Sequence, residues 1–142
     1  MKRFYLLICL LMVFSLSACR NDGGAKSTDE LLRLGRTYAN AGDSRNAILA
    51  LTKASKSAGR DSASLGLIFS EIAKVYRQTG DYAEEISYLA KAEKAYDNSG
   101  KPYSSRMARF ESAVASYMAQ DYKTASVALK SVMDDAVATS DT

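Results

Sequence analysis

The side chains with the capacity for chemistry are sixteen carboxylates and two cysteines, for histidine is absent from all 142 residues. Without imidazole there is no imidazole base, no His-ligated metal and no Ser-His or Cys-His nucleophile. The adjacent pairs Glu84-Glu85 and Asp134-Asp135 point to different sides of a helix, so neither can flank one substrate bond as a glycosidase pair must. No Gly-rich phosphate loop is present either. The expectation is a protein with no catalytic residue, no cofactor and no metal site. What remains reactive is the thiol, at Cys9 and Cys19.

Both cysteines sit in a distinctive N-terminal segment. Lys2 and Arg3 are followed by an unbroken apolar run from Phe4 to Phe14 and then by Leu16-Ser17-Ala18-Cys19. A spanning helix needs roughly 20 apolar residues, so this shorter run with its basic start reads as a cleaved signal. Leu16-Ser17-Ala18-Cys19 resembles the lipobox of bacterial lipoproteins. The resemblance implies that residues 1–18 are a lipoprotein signal peptide removed before Cys19, and that Cys19 is the lipidation site, carrying palmitate-type chains. Cys9 then leaves with the signal, and no disulfide is possible in the mature monomer. Two or three acyl chains, each methylene contributing about 0.8 kcal/mol, would hold the protein on a bilayer. Arg20 stands where the lipoprotein family uses Asp for inner-membrane retention, which points to the outer membrane of the cell envelope. Residues 19–27, polar and Gly-containing, are expected to be a lipid-anchored flexible tether. Losing Lys2 and Arg3 lowers the basic count from 19 to 17 against 16 acidic residues, so no nucleic-acid partner is expected.

The elements that must position any site lie in residues 28–142. Apolar residues recur there at spacings of three and four, which predicts amphipathic helices. Gly42-Asp43, Gly59-Arg60-Asp61, Gly80-Asp81, Ser99-Gly100-Lys101-Pro102 and Gln120-Asp121 divide the segment into six helices of about 13 to 18 residues. Ser27-x-x-Glu30 and Asp81-x-x-Glu84 have capping-box spacing. The pattern repeats. Leu31, Leu34-Gly35, Tyr38, Gly42-Asp43, Ala47, Leu51 and Ala54 return as Phe69, Ile72-Ala73, Tyr76, Gly80-Asp81, Glu85, Leu89 and Ala92. A third copy runs Phe110, Ala113-Val114, Tyr117, Asp121, Ala125, Leu129 and Val132.

These positions resemble the tetratricopeptide repeat, a helix–turn–helix unit that stacks into an α-solenoid. The resemblance implies an all-α fold of three helix pairs, at about 28–61, 62–101 and 102–138. Leu34, Gly35, Tyr38, Ala47, Ala73, Tyr76, Tyr117 and Ala125 would pack the repeats, with all three tyrosines in the core. Successive tyrosines are 38 and 41 residues apart where the family spacing is about 34, so helices or loops must be longer. Glu85 departs from the pattern, since the family places a small residue there. The expectation is a register shift that packs Ile86 and turns Glu85 outward; the alternative is a buried Glu85 held by Arg77 or Lys91.

In such arrays the first helix of each pair lines a concave face. That assigns Leu32, Arg36, Ala39 and Asn40, then Ser70, Lys74, Arg77 and Gln78, then Glu111, Ala115 and Met118 to a partner-binding groove. Arg36, Lys74 and Arg77 would receive an acidic or extended peptide, with Met118 and Ala115 on apolar side chains. The last helix, about Lys123 to Ala138, carries Val127, Leu129, Val132, Met133 and Val137 with no capping helix after it, which raises the possibility of a homo-oligomer. The reading is thus a tetratricopeptide lipoprotein of Gram-negative envelopes that serves as a protein-interaction scaffold. Its alternatives are the sensory or regulatory N-terminal part of a larger protein and, less favoured, an envelope hydrolase.

Overall fold

The computed structural model describes residues 26–140. The expected signal peptide, Cys19 and residues 19–25 of the tether lie outside the described residues. Six helices follow one another: α1 Thr28–Asn40, α2 Ser44–Ala58, α3 Ser62–Thr79, α4 Tyr82–Asn98, α5 Pro102–Met118 and α6 Tyr122–Ser140. Each packs chiefly on its neighbours in sequence, and no strand occurs among the described residues. The fold is the all-α, tetratricopeptide-like solenoid that the sequence predicts. None of the described helices is long and apolar enough to cross a membrane.

The starts of the helices are written in short polar side chains. Ser27, Asp43, Asp61, Asp81 and Asp121 each accept a hydrogen bond from a backbone N–H of the first turn, while α5 begins on Pro102, whose missing donor costs nothing there. At the turns inside the first two pairs the chain reverses through Gly42 and Gly80 at φ of 76° and 75°; the third pair places Gln120 there at φ 66°. Connections are two or three residues long, so the extra length of these repeats lies in the helices.

Within a pair, close approach depends on missing side chains. A Cβ on Gly35 would stand 2.5 Å from Leu51 Cγ, so α1 and α2 touch only because that position is empty. Gly66 plays the same part against the Tyr96 ring, at 2.7 Å. Around these crossings Ala47, Leu51, Ile68, Ile72 and Val75 form a first buried cluster, with Tyr38 and Tyr76 packed against it. Ala73, Leu89, Ala92, Tyr96 and Ala108 form a second. Ala125 is buried in the third pair.

Two expectations require correction. Tyr117 is not core: it is 59% exposed, in edge contact with Tyr122 at 5.3 Å. Where α4 covers the equivalent Tyr76 with Tyr88, α6 carries Ala128 at that place, and its first residue, Tyr122, meets Tyr117 only by an edge. Glu85 does not turn outward. It is fully buried at the α3–α4 crossing, its Oε1 accepting a hydrogen bond from Arg77 Nε at 2.5 Å. The charge is tolerated because the guanidinium reaches it from the rim. Lys91, the other candidate cation, lies instead over the Tyr88 ring.

Candidate functional site

The first helices of the three pairs, α1, α3 and α5, present a line of charges. Arg36 Nη2 reaches Glu71 Oε1 at 3.0 Å, and Lys74 Nζ meets the same oxygen at 3.2 Å. Arg77 Nη2 extends 3.2 Å to Glu111 Oε2 while its Nε holds Glu85. Arg36, Lys74, Arg77 and Glu111 are therefore brought onto one face, as the helix assignments imply. Their charges are, however, largely spent on carboxylates of the same chain. Glu71, which sequence reasoning missed, is the reason; its position three residues before Lys74 on one helix was the available signal.

Glu85, beneath this face, is a perturbed group. Burial pushes its pKa up, the hydrogen bond and charge of Arg77 pull it down, and Glu111 raises it further. Its Oε2 is buried without a hydrogen-bond partner. Such a carboxyl is closed to any substrate and acts as a fixed anchor for Arg77.

Between α3 and α5 the face opens into a groove of about 300 Å³. Leu67, Tyr103 and Met107 give it apolar walls, all three exposed to solvent. Ser70 and Tyr96 share a hydrogen bond at 3.3 Å in its lining, and Lys74 and Glu111 stand at its edges. A second hollow of about 290 Å³ shares Leu67, Tyr96 and Ser104 and continues the groove towards Lys101. An apolar trough with charges of both signs along it suits an extended polypeptide better than a small polar metabolite.

Several assigned residues fall elsewhere. Leu32 and Ala115 are buried and cannot contact a partner, because the face the pattern assigned to them is turned into the stack. Asn40, Gln78 and Met118 lie at the C-terminal ends of α1, α3 and α5, exposed, and are not among the residues lining the groove. Leu67, Tyr103 and Met107 supply the apolar character expected of Met118 and Ala115. On the last helix Val127, Met133 and Val137 are exposed, and Arg109 ties α5 to both neighbours through Glu93 at 2.8 Å and through Asp135.

The family model for the tetratricopeptide repeat matches residues 31–60 and 68–99, the spans of the first and second pairs. No curated protein and no solved structure matches the chain. These two segments are thus similar to tetratricopeptide repeats, units that typically build surfaces for protein partners.

Proposed function

We propose that this chain is a lipid-anchored adaptor of the bacterial envelope, held on the outer membrane through Cys19 and binding a protein partner along the concave face. The observation that carries the binding half is the α3–α5 groove, where Leu67, Tyr103 and Met107 stay open to solvent although Ile68, beside Leu67, and Ala108, beside Met107, are buried. Three large apolar side chains in one trough are poorly accounted for by folding alone. The anchoring half rests on Leu16-Ser17-Ala18-Cys19 after a basic and apolar leader.

Internal pairing of Arg36, Lys74 and Arg77 changes the chemistry of the partner from the one expected. Apolar side chains, not acidic ones, carry the contact, and Lys74 and Glu111 set its direction. A photo-crosslinking residue at position 103 should capture one defined partner in living cells, and Met107→Glu should abolish that capture while leaving the helical spectrum intact. Equal capture by the variant would remove the groove from the proposal. Cys19→Ala should release the protein from the membrane fraction and block incorporation of labelled palmitate; retention of both would remove the anchor.

A further inference from the structure

In the second helix pair the space beside α3 is filled from within. Tyr88 stacks on Tyr76 with ring centres 5.6 Å apart and planes at 21°, meets Phe69 at 6.2 Å, and carries Lys91 Nζ 4.0 Å from its centroid. Thirty-eight residues earlier the first pair has the same frame without the ring: Tyr38 for Tyr76, Leu31 for Phe69, Lys53 for Lys91 and Ala50 for Tyr88. Those four residues, with Leu34 and Leu49, line a cavity of about 550 Å³ between α1 and α2. Leu49 is 52% exposed at its mouth.

The third pair shows that the missing ring alone does not make such a slot. Ala128 stands at the Tyr88 position there too, but the hollow beside it is lined by Arg109 and Lys123 and by neither Phe110 nor Tyr117. Only the first pair joins an aromatic wall, an aliphatic floor and a lysine in the place from which Lys91 covers a ring.

We propose that the cavity between α1 and α2 is a receptor for an aromatic side chain of a partner polypeptide, seated against Tyr38 and Leu31 with Lys53 above it. The molecule itself supplies the precedent for the occupant, since its own second repeat holds a tyrosine in the equivalent frame. Offset ring stacking and a cation over the ring face both favour an aromatic group over an aliphatic one. The cavity exceeds the size of one ring, so residues flanking the aromatic enter with it. Among the described residues Lys26 and Lys53 line it and no carboxylate does, which selects flanking residues that are acidic. This site is separate from the α3–α5 groove and does not rest on it.

The test uses the full chain in detergent micelles and a fluorescein-labelled acidic pentapeptide with one central tyrosine, titrated by fluorescence anisotropy beside its alanine counterpart. The tyrosine peptide should bind at least about tenfold tighter. Ala50→Tyr, which builds in the ring of the second repeat, should weaken binding by about tenfold or more and raise the thermal midpoint. Lys53→Glu alters an exposed position, so folding is kept, and should weaken the acidic peptide several-fold. Lys130→Glu, at an exposed position that lines neither this cavity nor the α3–α5 groove, should change nothing. Equal binding of the two peptides, or undiminished binding by folded Ala50→Tyr or by Lys53→Glu, would overturn the assignment. So would self-association of the wild-type chain that Ala50→Tyr abolishes, because the occupant would then be a second copy.

Discussion

The second and third helix pairs share a plan and differ in what fills it. α4 brings two rings to the shared frame, Tyr88 over Phe69 and Tyr76, and Tyr96 against the bare backbone of Gly66. At the corresponding places α6 brings Ala128 and Ala136, and Phe110 and Tyr117 of the third pair remain open to solvent. Repeat identity is therefore set by the small residues and turn signals that let two helices meet, while burial is set by residues the repeat pattern leaves variable. Stacking position adds to this, since the second pair is covered by α2 on one side and α5 on the other.

If that contrast is right, the largest effect belongs to the centre of the second pair. Leu89→Ala should cost about 3 kcal/mol in urea unfolding, and Leu129→Ala at the matching, half-buried place about half as much. Equal losses would erase the distinction between the pairs. Next comes Arg77→Ala, which strands the carboxylate of Glu85 and should cost about 2 to 3 kcal/mol, with most of the loss recovered when Glu85→Gln is added.

The same carboxyl gives a pH signature. Its folded pKa is raised, so the stability it contributes is fully present below the ordinary carboxylate range and is lost as pH rises through the folded value; Glu85→Gln should flatten that limb of a stability–pH curve. Aromatic truncation sharpens the contrast further. Tyr88→Ala should lose about 2 kcal/mol and Tyr117→Ala less than about 0.5 kcal/mol by the same urea measurement. The smallest effect is at the turns, where Gln120→Gly should gain about 0.5 kcal/mol by matching Gly42 and Gly80.

The sequence made the helices and their ends legible because they depend on local signals: an aspartate or serine before each start, a glycine after a stop, and apolar spacing between. The three-pair order was legible because Gly35, Ala47, Ala73 and Ala125 mark close contacts, and all four are buried. Tyr117 was misread because a repeat position says which way a side chain points, whereas its covering depends on another helix. For Glu85 the outward turn was preferred because a lone carboxylate at a crossing looks prohibitive, whereas the alternative, a buried Glu85 held by Arg77, is the arrangement found.

The site was legible only in part, and for a related reason. The helix assignments placed Arg36, Lys74, Arg77 and Glu111 on a common face; the Glu71–Lys74 pair is local, but the contacts Arg36–Glu71 and Arg77–Glu111 span 35 and 34 residues, which no local spacing reveals. Leu67, Tyr103 and Met107 occupy positions outside the repeat signature, so nothing in the signature drew attention to them.

The brevity of the connectors has a practical consequence. A protease must draw several consecutive residues into its cleft in extended form, and segments of two or three residues between helices offer no such length. Cleavage between Thr28 and Ser140 must therefore wait for a helix to come undone, so the rate at which trypsin nicks each arginine or lysine there reports how often that stretch opens.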